Sequence, residues 1–308
     1  MIPSSSSSLQ QRIFRSEQGF VLIAVLWVLA ALAVLAVIFS SFLANSARAI
    51  AVNDNALQSE ALISAAVELT AYQLALAGEA APARGSFRTR LNGADISVSF
   101  LSEASRIDLN NAPKELLAGL LSVLGAGSEE ARGYAERIIA WRTRAAQGSP
   151  NANEDALYRA AGRSYGPRQA PFAHINELGL VLGLPPALVE RALPFVTVFS
   201  GASGVDVVNA APEVIAALPG MTPLILKQFL SDRGGLGTDS QAIARALGDA
   251  KASVSSDKCD AYRVLIRLRL RNGWETVSEV VIGLKSEGNP YRVLAWRDGV
   301  GLSRGMKL

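Results

Sequence analysis

Cysteine and histidine are almost missing from this chain: one of each occurs in 308 residues. Cys259 alone can form no intrachain disulfide, and it reads as a small buried thiol. His174 alone offers no histidine pair for a zinc centre and reads as a partly buried side chain. No nucleophile–base pair stands out, so an enzyme is not expected. A polybasic face is missing too. The 30 basic and 27 acidic residues are mixed along the chain with a net charge of +3, which argues against a nucleic-acid partner. Charge disappears altogether from Phe20 to Leu43, where 24 residues include only Ser40 and Ser41 as polar side chains. Glycine and proline are absent from residue 45 until Gly78.

At about 1.5 Å per helical residue the uncharged run spans roughly 36 Å, enough to cross a bilayer with some tilt. A signal-peptide apolar core runs only about 7–15 residues before a small-residue cleavage site. This run is longer, although Ala44 and Ala47 form a weak boundary of that kind. Arg12 and Arg15 precede it and Arg48 follows, a bias that keeps the N-terminus cytoplasmic and sends the bulk of the chain outside an inner membrane. The helix is predicted to continue to residue 77, about 55 residues in all, half in lipid and half on a soluble domain. Leu62, Ala66, Leu69, Gln73 and Leu76 are its expected packing face.

After a linker over 78–86, alternating runs flank Asn92-Gly93 and again Asn272-Gly273, two hairpin signals. They predict strands near 86–91 and 94–101, then three more after residue 258. The intervening block, about 150 residues, reads as helical and contains a repeat: "DLNNAPKELLA" (108–118) aligns without gaps on "DVVNAAPEVIA" (206–216). Asp108 or Asn111 is expected to cap a helix, with Glu115 and Glu213 in first turns where the helix dipole favours them. Each copy leads into a hairpin and a second helix, like a helix-hairpin-helix or SAM-like motif. Such hairpins bind DNA backbones when they carry G-x-G and basic flanks. Here Gly125-Ala126-Gly127 is followed by Ser128-Glu129-Glu130, and the second copy has Gly220-Met221-Thr222. The acidic flank repels phosphate, so packing modules are the better reading. "DRGGLGTDS" (232–240) reads as a flexible loop, since no strand and no phosphate-binding lysine accompany it. The tract Ser4 to Ser8 reads as a disordered head.

"EQGFVLIAVLWVLAAL" resembles a type IV prepilin leader, with a short basic head, Gly19, and Phe20 opening the apolar helix. The resemblance implies cleavage after Gly19 by a prepilin peptidase and methylation of Phe20. It also marks Ala24 as atypical, because the fifth mature residue is usually glutamate. A carboxylate in lipid is costly unless paired, and in these fibres it is thought to meet a neighbour's amine. A subunit with nothing above it does better with an apolar residue there. That departure, and the order of elements, resembles the type II secretion minor pseudopilins of the protein K family.

This resemblance implies an α+β fold: a long membrane-spanning helix on an antiparallel sheet, with a large inserted all-α domain. The implied divisions are a leader 1–19, a membrane segment 20–43, helix and first strands 44–105, the insert 106–257, and last strands 258–308. Family-type positions are matched by Trp141, Glu154, Asp155, Tyr158, Tyr165, Pro171, Glu177 and Leu178. Some relatives bind calcium here, but Arg142, Thr143 and Arg144 stand where aspartates are usual. Calcium takes six to eight oxygens, and Glu154 and Asp155 with the Asn151 and Asn153 side chains make a thin set. No cofactor is inferred. The implied partners are other minor pseudopilins at a pseudopilus tip, prepilin peptidase and inner-membrane lipid, with the C-terminal domain in the periplasm. A membrane-anchored DNA receptor of a competence system is the alternative of another class.

Overall fold

The computed structural model describes residues 14–145, 153–237, 239–255, 258–284 and 289–299, apart from the side chains of 14–20, 44 and 47–53. Arg12, the serine tract and Asn151 therefore lie outside the described residues. The chain divides into two compact units, Met1–Ala61 and Leu62–Leu308.

The first helix, α1, runs from Phe14 to Ala77, 64 residues, longer than expected because it begins ahead of Phe20. Gly19 lies inside it, a position that costs a helix about 1 kcal/mol relative to alanine but does not end it. Between Val21 and Leu43 no side chain is buried, and the stretch is long and apolar enough to cross a membrane. From Leu62 onward one face is covered: Leu62, Ile63, Ala66, Val67, Ala71 and Leu74 join the core with the strands. Leu69, Gln73 and Leu76 are exposed instead, so the packing face is turned about a quarter-circle from the expected one at 100° per residue. The buried face also takes in Thr70, whose hydroxyl is satisfied by donating to the Ala66 carbonyl at 2.7 Å.

The sheet is antiparallel with order β1-β2-β5-β6-β7. Its strands are β1 (Arg84–Leu91), β2 (Ala94–Ser102), β5 (Ala261–Arg269), β6 (Glu275–Gly283) and β7 (Arg292–Asp298). Alternation sends Ile96, Val98, Val264, Ile266, Leu268, Val280 and Ile282 toward α1. The first hairpin is a two-residue turn with Asn92 at φ 50° and Gly93 at φ 75°, the geometry that suits the strand twist. The same dipeptide at 272–273 sits in a longer loop between Arg269 and Glu275, where the Leu270 amide donates to the Trp274 carbonyl at 2.8 Å.

The block between β2 and β5 is mainly helical: α2 (Lys114–Val123), α3 (Ser128–Arg142), α4 (Glu154–Ala160), α5 (Pro186–Ala192), α6 (Pro212–Ala216), α7 (Pro223–Leu236) and α8 (Ser240–Leu247). It is not all-α. Ile107–Asp108 (β3) pairs in parallel with Val196–Thr197 (β4), and the Leu109 amide donates to the Thr197 carbonyl at 2.8 Å. The chain leaves the sheet extended, and its backbone groups take partners from the residues after α5, a stretch expected to stay helical. The glycine pair at 234–235 is likewise helical rather than a loop, because α7 is held by buried Phe229 and by Arg233, which donates to the Ala210 carbonyl at 2.9 Å.

The two repeat copies fold alike. Asp108 Oδ1 accepts from the Asn110 amide at 2.7 Å, and Asp206 Oδ1 from the Val208 amide at 3.0 Å. Their carbonyls accept from Ala112 and Ala210. These aspartates shape the turn ahead of each helix and do not cap it: the N-cap residues are Pro113 and Ala211, and the aspartates lie too far upstream to reach the first-turn amides. Glu115 and Glu213 are in the first turns as expected. α2 and the end of α6 approach so closely that a Cβ on Gly119 would lie 2.1 Å from the Ala217 carbonyl oxygen. Gly119→Ala is therefore expected to destabilise by about 1–3 kcal/mol in urea unfolding of the full chain in micelles. Gly133→Ala, on α3 with nothing near its Cβ, should be neutral or stabilising by about 0.5–1 kcal/mol. Equal effects would refute the contact.

Candidate functional site

Of the family-type residues, Trp141, Tyr158, Tyr165 and Glu177 meet in one aromatic cluster that fastens a loop to α3, while Asp155 and Pro171 are exposed. Trp141, in the last turn of α3, stacks on Phe172 with centroids 6.1 Å apart and packs against Tyr158 at 6.2 Å and Tyr165 at 6.5 Å. Its indole N–H donates to Glu177 Oε2 at 3.3 Å. The other oxygen of Glu177 accepts from Arg168 at 2.9 Å and from the Ala173 amide at 3.0 Å, so one carboxylate closes the loop 168–177 on itself. Tyr158, on α4, is buried, and its hydroxyl accepts from the Leu182 amide at 2.9 Å. Burial pushes that phenol up, and the Leu182 bond offsets part of the rise. Leu178 is buried in the same core.

Two further residues, whose structural part the sequence did not disclose, hold the neighbouring turns. Asn110 acts as a strand-like clip: its Nδ2 donates to the Phe172 carbonyl at 3.0 Å and its Oδ1 accepts from the Phe172 amide at 2.7 Å. Arg142, where an aspartate is usual, donates to the Ala112 carbonyl at 2.8 Å and to that of Leu109. Burial lowers its pKa, against the raising charge of Asp108. It is a strut between α3 and the first repeat turn.

Glu154 and Asp155 occupy the first turn of α4, with Asn153 at its N-cap. Among the described residues no three acidic, histidine or cysteine side chains gather as a metal would need. His174 caps the short turn Ile175–Leu180, its Nδ1 accepting from the Asn176 amide at 3.1 Å. Cys259 is buried, and burial pushes its thiol up, away from nucleophile chemistry.

A second cluster joins the helical block to the sheet. Glu103 is fully buried after β2, and Arg263 on β5 meets both its oxygens, from Nε at 2.8 Å and Nη2 at 3.1 Å. The remaining Arg263 nitrogen donates to Glu279 on β6 at 2.5 Å. The Thr197 hydroxyl donates to Glu103, and Arg106 lies 3.7 Å away. Burial, then the charge of Arg263, brings Arg106 down to about 10. One carboxylate thus touches β4, β5 and the segment that opens the helical block. Glu103 lies in "SFLSEASRIDLN", where nothing marks it; the legible clue was Arg263 beside apolar Val264 and Tyr262 in β5.

On α1, the exposed side of the 62–77 stretch presents Leu69, Tyr72 and Leu76, the last two 64% and 75% exposed. Such a stripe on a helix already packed on its other face suits a neighbouring apolar helix.

A family model described as "Type II secretion system (T2SS), protein K" matches residues 91–201. That span holds Glu103, the first repeat copy and the whole Trp141 cluster. Among solved structures, one titled as the crystal structure of the GspK-GspI-GspJ complex from the enterotoxigenic Escherichia coli type 2 secretion system is similar in fold. Its TM-score is 0.54 at 18% identity, over 79% of this chain and 98% of that one. No curated protein matches the sequence.

Proposed function

We propose, from the match of residues 91–201 to the type II secretion protein K model, that the chain is a minor pseudopilin at the tip of a secretion pseudopilus. The family match is the observation that carries this reading. The helical block would cap the fibre and leave no surface on which a further subunit could stack, in a structural and not an enzymatic role. Its two repeat copies, of helix-hairpin-helix or SAM-like form, would serve packing. The Leu69, Tyr72 and Leu76 stripe would meet other minor pseudopilins, in keeping with the GspI and GspJ named beside GspK in the similar complex. The anchor would cross the inner membrane once and leave residues after it in the periplasm. No cofactor enters this reading. The competence-receptor alternative loses support from exposed Glu129 and Glu130 opening α3, where a DNA backbone would have to approach.

The reading includes cleavage between Gly19 and Phe20 by prepilin peptidase, methylation of Phe20, and an apolar Ala24 in place of the usual carboxylate. Mass spectrometry of the membrane-extracted protein tests it. The expected N-terminus is methylated Phe20, and Gly19→Leu should leave the leader attached. A wild-type N-terminus at Met1 or near Ala47 overturns the assignment.

A further inference from the structure

The face of the sheet turned away from α1 carries a row of unmatched positive charge. Register places Arg88, Ser97, Arg267 and Val277 side by side across β1, β2, β5 and β6. Their sequence neighbours Ile96, Ile266 and Leu268 are in the α1 core, so these four point outward. The next row reads Arg90, Asp95, Arg269 and Glu275, and it pairs internally: Arg90 with Asp95 at 2.6 Å, Arg269 with Glu275 at 2.5 Å. Neither Arg88 nor Arg267 forms an ion pair among the described residues. Both line the same concavity of about 660 Å³ with Ser97, and the two ion pairs of the next row line it too.

We propose that Arg88, Ser97 and Arg267 form a docking site for an acidic segment of a partner protein, with one carboxylate seated over Ser97 between the two guanidinium groups. Two strand spacings, about 10 Å, separate the arginine backbones, a gap that two long side chains close around a carboxylate. The planar forks of arginine favour that geometry, and the serine hydroxyl adds a third donor. A nucleic-acid backbone fits less well. It would run its next phosphate onto a row whose arginines are already engaged by Asp95 and Glu275, whereas a peptide can place a neutral residue there. The site is independent of the secretion reading, since it rests on register and charge alone.

The test titrates the full chain in detergent micelles against a fluorescein-labelled peptide of alternating glutamate and serine, read by anisotropy. A glutamine–serine peptide and a labelled DNA duplex are the comparisons. The glutamate peptide should bind, the glutamine peptide should bind at least about tenfold more weakly, and the Arg88→Gln/Arg267→Gln pair should lose about tenfold. Arg88→Gln alone, at an exposed position that folding does not need, should lose severalfold. Arg245→Gln on α8 should change nothing. Absence of binding, equal binding of the two peptides, equal binding by the double variant at an unchanged melting temperature, or tighter duplex binding through the same arginines would each overturn the proposal.

Discussion

Glu103→Ala should lower the stability of the folded unit by about 3–5 kcal/mol, because it strands buried guanidinium groups. Arg263 would keep Glu279, and Arg106 would lose its one ion-pair partner among the described residues. The Thr197 hydroxyl would also lose its acceptor. Glu103→Gln keeps the shape without the charge, so its loss should be smaller. Arg263→Met should also destabilise. Both residues share one interaction, so the double variant should lose less than the sum, with a coupling of about 0.5–3 kcal/mol. Urea unfolding of the full chain in micelles measures all four; a loss under about 1 kcal/mol for Glu103→Ala would mean the cluster is hydrated and the clamp is not one. Acid supplies an independent check. Burial pushes the Glu103 carboxyl up, but the charge and hydrogen bonds of Arg263, with Arg106, outweigh it and hold the group below its ordinary value. A depressed carboxyl stabilises above its unfolded pKa, near 4.3, and that contribution is lost as pH falls through the folded value. Wild type and Glu103→Ala should therefore differ most near neutrality and converge in acid.

That clamp shows where sequence reading runs out. The long apolar N-terminal helix, both strand pairs and the repeat were legible because each depends on local rules: an uncharged run, a turn dipeptide, a motif copied at fixed register. The expected helix face holds at Leu62 and Ala66 and departs at Leu69, Gln73 and Leu76, because α1 has apolar residues on two adjoining sides and only its packing on the sheet decides which side is covered. Ile107–Asp108 escaped notice as a strand because its partner lies far along the chain, at Val196–Thr197. Glu103 and Arg263 are likewise distant in sequence and meet only once the block folds back on the sheet. Asn110 looked like one member of a repeat, yet its counterpart is Val208, and only the first copy uses that position to hold a loop. The family-type residues were legible as a group, but not their purpose. The geometry places Trp141, Tyr158 and Glu177 in the work of closing a loop.

Trp141→Ala tests that purpose, with an expected loss of about 3–5 kcal/mol. The ring is buried against Phe172, Tyr158 and Tyr165, so truncation opens a large cavity and leaves three aromatic neighbours without their common partner. Glu177 would lose the indole donor but keep Arg168 and the Ala173 amide, so most of the penalty should come from packing. Trp141→Phe separates the two. It retains most of the apolar contact and discards the N–H, and should lose only about 1–2 kcal/mol. If the two variants were equally damaging, the hydrogen bond to Glu177 would dominate and the packing account would fail. Limited proteolysis then locates the effect. Gln169 donates its amide to the Trp141 carbonyl at 2.8 Å, a backbone bond that either variant can still form. Loss of the ring should nonetheless loosen the loop around Arg168 and Phe172, since the side-chain contacts that seat it are aromatic. New cleavage should thus fall between α4 and the Ile175–Leu180 turn in Trp141→Ala, while the sheet and α1 stay protected. Cleavage spread evenly over the chain would instead mean that the cluster supports the whole unit and not the loop it encloses.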